Sequence, residues 1–252
     1  MGVMRALFPD ALPDVDLHRW YGAQWLETGG VRMNFVSSVD GGATAAGLSE
    51  GLQTPGDNAV FAALRDLADV VIVGGRTTVD EGYRPIRLSP ERAQRRAALG
   101  LPATLPTAVV SASLRLDPTV PLFGDSPAGA RTIVLTTTSA DPSVRAALAR
   151  TCEVVDCGEQ TVDLPAARAA LVEGGHRRIL GEGGPTLFAS MAAAGVVDEL
   201  CLSITPLLVG PGSRRITAGE PWSARSGLEL RGLLEEDGAL FARYRVAQHQ
   251  HQ

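Results

Sequence analysis

Three short turns place residue types suited to gripping phosphate directly after apolar runs. Gly181-Glu182-Gly183-Gly184-Pro185-Thr186-Leu187 follows the run at 177–180. Adjacent glycines let backbone N–H groups approach an anion with no Cβ in the way, and Pro185 suits a first helical turn, where a missing N–H costs nothing. The helix expected beyond it, with Leu187, Phe188 and Met191 at helical spacing, would aim free N–H groups and the positive end of its dipole at the same place. Gly74-Gly75-Arg76-Thr77-Thr78 follows the run at 70–73, and an arginine there can pair with a 2′-phosphate, the group that separates NADPH from NADH. Thr136-Thr137-Thr138 follows a third run, 132–135. In an open α/β sheet ligands bind beyond the carboxyl ends of parallel strands, so the three turns are expected to converge on one extended ligand of dinucleotide length. The fingerprint GxGxxG is absent, which removes the Rossmann way of holding such a ligand.

The elements that must position these turns follow from periodicity and punctuation. Residues 31–39 are strand-like and break at Asp40-Gly41-Gly42. Thr54-Pro55-Gly56-Asp57 gives an N-cap, a proline at the first helical position and an acid at the third, so a helix is expected over 55–67 with Val60, Phe61, Leu64 and Leu67 as its apolar face. Val70-Val71-Ile72-Val73 is apolar without alternation, as in a strand covered on both faces. Further strands are expected at 107–110, 132–135 and 152–155, and helices after Ser89-Pro90 and Asp141-Pro142 and over 164–172. The basic stretch with Arg84, Arg87, Arg92, Arg95 and Arg96 reads as a solvated arm. Residues 199–205 alternate, with Leu200, Leu202 and Ile204 on one face, and 228–234 and 239–246 flank Asp237-Gly238, a hairpin turn. These last strands are expected to be antiparallel and to finish one edge of the sheet.

The alternation predicts an α/β protein, a three-layer α/β/α sandwich with a mixed central sheet. Residues 1–28 read as an extension packed on a main domain at 29–247, with a tail at 248–252. Among 252 residues, 45% are hydrophobic, enough for a sizeable core, and a net charge of −5 argues against nucleic acid as partner. No apolar stretch approaches the roughly 20 residues that span a bilayer, and no signal-peptide pattern opens the chain. Cys152, Cys157 and Cys201 show neither metal-ligand spacing nor a disulfide framework, so buried thiols in a cytoplasmic protein, and no metal, are expected.

Four ordered segments carry a family resemblance: Asn34-Phe35-Val36-Ser37-Ser38-Val39-Asp40-Gly41-Gly42, Val70-Val71-Ile72-Val73-Gly74-Gly75-Arg76-Thr77, Glu182-Gly183-Gly184-Pro185-Thr186-Leu187 and Thr205-Pro206-Leu207-Leu208-Val209-Gly210. Over residues 31–246 the chain resembles the C-terminal reductase domain of the bifunctional riboflavin-biosynthesis deaminase/reductase, RibD, and most closely the stand-alone actinobacterial-type members. The resemblance implies a dihydrofolate reductase-like fold, NADPH as hydride donor and a homodimer. It implies that Gly183, Gly184, Pro185 and Thr186 cradle the cofactor pyrophosphate, that Gly75, Arg76, Thr77 and Thr78 lie along its phosphates, and that Thr136 and Thr137, with Ser111, sit near the 2′-phosphate.

The substrate side falls to Asn34, Ser38, Asp40 and Glu182. A carboxylate can accept two N–H bonds from an aminopyrimidine or pteridine edge, and partly buried it stabilises an iminium as hydride arrives. Asp-Gly-Gly also makes a turn without catalysis, but with the resemblance Asp40 becomes the catalytic candidate. Glu182 has an alternative as an exposed partner of Arg177 or Arg178. Family members of the riboflavin pathway carry lysine where this chain has Asn34, and the deaminase zinc motif is absent. The expected activity is NADPH-dependent reduction of a C=N bond, foremost in 5-amino-6-(5-phosphoribosylamino)uracil. Dihydrofolate reduction and a non-catalytic nucleotide-binding role are the alternatives.

Overall fold

The computed structural model describes residues 3–222 and 226–247, so the tail expected at 248–252 lies outside the described residues. The described elements run β1 (Arg5–Phe8), α1 (Leu17–Thr28), β2 (Gly30–Ser38), α2 (Pro55–Leu67), β3 (Val70–Gly74), α3 (Gly75–Asp80), α4 (Pro90–Ala98) and β4 (Thr107–Val110). They continue as α5 (Pro121–Gly124), β5 (Ile133–Thr136), α6 (Pro142–Leu148), β6 (Glu153–Asp156), α7 (Leu164–Glu173), β7 (Arg178–Gly181), α8 (Pro185–Ala193), β8 (Glu199–Thr205), β9 (Leu228–Glu236) and β10 (Ala239–Val246). The strands are those of a mixed sheet, and the chain divides into two compact units, residues 1–65 with 181–252, and residues 66–180.

In the unit formed by 66–180, β3, β4, β5 and β6 pair in parallel, each with the next. Val70, Val71, Ile72 and Val73 are 0–2% exposed, as a strand covered on both faces requires. Val73, Val109, Val134, Leu122 and Phe123 share one core cluster. Asp141 caps α6 by accepting from the Ser143 and Val144 amides, and Ser89 caps α4 by accepting from Arg92.

The basic stretch is not the solvated arm its composition suggests. Arg96 is fully buried, and its guanidinium donates to the carbonyls of Pro102 (2.7 Å), Ala68 (2.6 Å), Thr104 (3.0 Å) and Asp66 (3.2 Å). Arg92 and Arg95 grip the buried Asp66 carboxylate at 2.6 and 2.7 Å. Three loop carbonyls and one at the C-terminal end of α2 need donors once buried, and one guanidinium fork supplies them. Burial pulls the Arg96 guanidinium down to about 10, so it stays charged at neutral pH.

In the other unit the strand order is β1-β9-β10-β8-β2. β10 is antiparallel to both β8 and β9, and β8 is parallel to β2 in the register Asn34↔Cys201, Val36↔Ser203, Ser38↔Thr205. Asp237 and Gly238 both take positive φ, 49° and 82°, the signature of the tight hairpin turn that Asp-Gly favours. Residues 1–28 supply β1 and α1. Arg32, 1% exposed, lies 4.3 Å from the Trp25 ring and pairs with Glu199.

Alternation along β8 is real, but the expected buried face is not the most deeply covered one. Cys201, Ser203 and Thr205 are 1–3% exposed, whereas Leu202 and Ile204 are only partly buried. The reason is α2, which comes down on this face where the sheet is lined by small side chains. The bounds of α2 coincide with those expected, although Ala63 is buried on its inner face and Phe61 is only partly so. Gly56 makes the approach possible, because a Cβ there would fall far inside contact with Glu236 Oε2 and 2.7 Å from Phe241 Cζ. Gly56→Ala is therefore expected to cost about 1–3 kcal/mol by overpacking, measured by urea unfolding. A cost near zero would show that α2 moves freely away from the sheet.

Candidate active site

The face shared by β2 and β8 is built from acceptors. Asp57, in the first turn of α2, is 5% exposed; the Ser203 hydroxyl donates to its carboxylate, and Oδ1 has no partner. Burial pushes the Asp57 carboxyl up from its ordinary range, and the Ser203 hydroxyl pulls it back. Asn34 Oδ1 and Thr205 Oγ1 are likewise buried without partners. Each unpartnered buried polar group costs about 1–3 kcal/mol, so three on one face is an expensive arrangement unless a ligand supplies donors. Sequence reading placed Asn34 and Ser38 here and missed Asp57, taking it only as a first-turn acid. The missed signal is its spacing: 57, 60, 64 and 67 fall on one helical face, so the acid shares the buried side with Val60, Leu64 and Leu67.

Asp40 lies in the turn beyond β2 and is exposed. Its Oδ1 accepts from the Ser38 hydroxyl (2.5 Å) and the Val209 amide (3.2 Å), and its Oδ2 from the Gly210 amide (2.8 Å). The Ser38 hydroxyl first, then the two amides, hold its carboxyl below the usual range, so Asp40 is ionised at neutral pH. Gly42 explains the double glycine: a Cβ there would collide with the Val209 side chain and lie 2.6 Å from Ser213 Oγ. Val39 donates to the Leu207 carbonyl (3.0 Å), so the turn is zipped to the loop after β8.

Glu182 is not the exposed residue that the alternative reading required. Its side chain is 1% exposed, and Arg65, at the far end of α2, meets both oxygens at 2.6 Å. The Arg65 guanidinium also lies 4.2 Å from the Phe61 ring. Arg178 pairs with Asp69 at 2.6 Å. Beyond Glu182 the Gly183–Gly184 peptide is cis, and Gly183 takes φ 124°, a conformation that excludes most side chains. Gly184 is the N-cap of α8 and Pro185 its first residue, as expected, while Thr186 is exposed.

The unit 66–180 brings two of the expected turns together. Gly75 opens α3, and a Cβ on it would press on Ser111 and Leu116 at 3.1 Å. Thr137 Oγ1 donates to the Ala112 carbonyl at 3.1 Å, which joins the ends of β4 and β5. Thr136 is fully buried, and its Oγ1 has no partner. Thr78 spends its hydroxyl on the Gly75 carbonyl (2.7 Å), Thr77 is half-buried, and Arg76 is exposed, 3.3 Å from Asp80. Arg145 donates to the Thr137 carbonyl and pairs with Asp156 at 2.7 Å.

The fold is of the mixed α/β class. Residues 30–236 match the RibD C-terminal domain, and the chain belongs to that family. It is 33% identical over 182 residues to the 2,5-diamino-6-ribosylamino-4(3H)-pyrimidinone 5′-phosphate reductase of Methanothermobacter thermautotrophicus, covering 71% of this chain and 79% of that protein. It is 28% identical to the enzyme of the same name from Archaeoglobus fulgidus, covering 72% and 82%. Among solved structures, a pyrimidine reductase-like protein from Corynebacterium diphtheriae superposes with a TM-score of 0.81 at 27% identity, covering 93% of this chain and 100% of that one.

The buried pair yields a stability test. Arg65→Met strands the Glu182 carboxylate without its guanidinium and is expected to cost about 3–5 kcal/mol in urea unfolding. Arg65→Met combined with Glu182→Leu is expected to recover most of that loss. A single variant as stable as the wild type would mean that Glu182 finds another partner or takes up a proton.

Proposed function

We propose that this chain is an NADPH-dependent pyrimidine reductase of riboflavin biosynthesis, delivering hydride to the C=N bond of a ring-opened ribosylamino-pyrimidine phosphate. The observation that carries the reading is the buried β2–β8 face, which offers Asn34, Asp57 and Thr205 oxygens with no partner where an aminopyrimidine has N–H groups to give. The names of the two archaeal relatives support the same substrate class. The substrate is either 5-amino-6-(5-phosphoribosylamino)uracil or its 2-amino counterpart.

A nicotinamide dinucleotide is the cofactor of this reading, supported by the buried Thr136 hydroxyl that keeps no partner and by the glycine-only backbone of Gly183 ahead of α8. In this reading Gly183, Gly184, Pro185 and Thr186 hold the pyrophosphate with Gly75, Thr77 and Thr78 along it, and Arg76 joins Ser111, Thr136 and Thr137 at the 2′-phosphate end. NADPH, when bound, supplies the hydride. The protein supplies alignment and charge. Asn34 and Ser38 position the heterocycle, and Glu182, fixed by Arg65, adds a buried negative charge beside it. Asp40, held ionised, favours by its charge the iminium formed when the imine nitrogen takes a proton from solvent, and hydride addition then yields the neutral amine. A cytoplasmic homodimer belongs to the same reading.

Consumption of NADPH by purified protein, followed by its absorbance, tests the proposal. Turnover is expected with a phosphoribosylamino-pyrimidine and not with dihydrofolate. Turnover with dihydrofolate alone, or NADPH binding without turnover, would contradict it. Asp40→Asn is expected to lower kcat by about 100-fold or more while NADPH affinity stays within about threefold. Arg76→Ala is expected to weaken NADPH about five- to tenfold and leave NADH unchanged. Equal losses for both cofactors would remove Arg76 from the 2′-phosphate.

A further inference from the structure

Asp40 owes its place to a loop as much as to its own turn. The chain leaving β8 at Thr205 folds back along residues 39–44. The Val39 amide donates to the Leu207 carbonyl (3.0 Å), the Val209 and Gly210 amides donate to the Asp40 carboxylate, and the Ala43 amide donates to the Arg214 carbonyl (2.6 Å). Asp40 is thus bracketed, with one bond to the loop before it and another after it. Apart from the Asp40 carboxylate these groups are backbone, so no side-chain change cuts them.

Ser213 is the exception on the loop side. Its hydroxyl accepts from the Thr44 amide (3.1 Å), donates to the Thr44 carbonyl (2.8 Å) and stands 3.3 Å from the Thr44 hydroxyl. A hydroxyl has one proton to give and lone pairs to receive, so it serves the amide and the carbonyl of one residue together. Gly210 and Gly212, at φ 76° and 93°, supply the reversals that bring Ser213 back against the turn. Gly42 meets it there, since a Cβ on that residue would lie 2.6 Å from Ser213 Oγ. The contact is close on both sides, a glycine in the turn and a small hydroxyl in the loop.

We propose that Ser213 is a positioning residue for Asp40: by locking the 207–214 loop to Thr44 it keeps the Val209 and Gly210 amides on the Asp40 carboxylate and so aims that charge. The assignment rests on the reductase reading above, with Asp40 as its charged residue. Without the hydroxyl, the Thr44 amide and carbonyl turn to water and the loop gains freedom. The two amides then hold the carboxylate for only part of the time. A group misplaced by about 1 Å loses up to about 100-fold of its effect on a reaction. The hydroxyl bonds to none of the residues assigned to the cofactor, so its loss acts on turnover and leaves NADPH affinity alone.

The test is a double-mutant cycle on kcat, with the phosphoribosylamino-pyrimidine and NADPH as substrates. It compares wild type, Ser213→Ala, Asp40→Asn and the double variant, with NADPH affinity and melting temperature measured for each. Ser213→Ala is expected to lower kcat about tenfold with NADPH affinity within about threefold, and to change kcat less than about twofold once Asp40 is replaced. A hydroxyl that only supports the fold would cost the same factor in both backgrounds. That result, or an unchanged kcat in the single variant, would overturn the assignment and leave the reductase reading standing. If Ser213→Ala does not fold, Thr44→Val takes its place with the same expectations, because it removes the hydroxyl that meets Ser213 and accepts from the Arg214 amide (3.4 Å). Full activity of Asp40→Asn would overturn the roles of Asp40 and Ser213 together, and no turnover by the wild type would overturn the reductase reading itself.

Discussion

Helix α2 is held at its two ends by interactions that leave little freedom, and the buried β2–β8 face depends on its seat. At its C-terminal end Arg65 grips both oxygens of Glu182, a carboxylate almost wholly removed from water. At its N-terminal end Gly56 lets the helix touch Phe241 and Glu236, and Asp57 takes its bond from Ser203. A buried ion pair contributes little net stability over an apolar pair of the same shape, but half of one is costly. Such a pair acts as a register device: it allows one position of the helix and penalises the rest.

The same unit accepts polar burial that stability alone would not select. Asn34, Asp57 and Thr205 keep unpartnered oxygens, and Glu236, also buried, has its carboxyl pushed up mainly by desolvation. Apolar side chains in those positions would stabilise the fold. Their absence along one continuous face, beside strands whose other residues are ordinary core, is the mark of a surface waiting for donors. In the unit formed by 66–180 Thr107 and Thr136 also keep unpartnered hydroxyls, while Arg92, Arg95 and Arg96 are spent on backbone carbonyls and on Asp66.

Most strand and helix positions were legible because local signals agreed. Thr54-Pro55-Gly56-Asp57 announced the start of α2, Asp237-Gly238 the hairpin, and the run at 70–73 a doubly covered strand. The site was legible in part. The glycine turns and the Asn34 to Asp40 segment stand where strands end, and within one unit the structure joins the ends of β4 and β5 and sets Gly75 against Ser111. Three things were hidden. Alternation on β8 identifies two faces but not which is covered more deeply when the small polar residues lie under the helix. A row of arginines does not say which one turns inward to meet four carbonyls. Glu182 and Arg65 are 117 positions apart, and no local pattern links them. β1 was missed because only one of its four residues is buried, which leaves no alternation to see.

The central claim, hydride delivery to the C=N bond of a ribosylamino-pyrimidine, is tested most directly by isotope transfer. Protein, NADPH deuterated at the reactive carbon and the phosphoribosylamino-pyrimidine would be incubated and the product examined by mass spectrometry and NMR. The account predicts one deuterium at the ribityl carbon bonded to the exocyclic 6-amino nitrogen. A product without deuterium, or with deuterium in the pyrimidine ring, would contradict it.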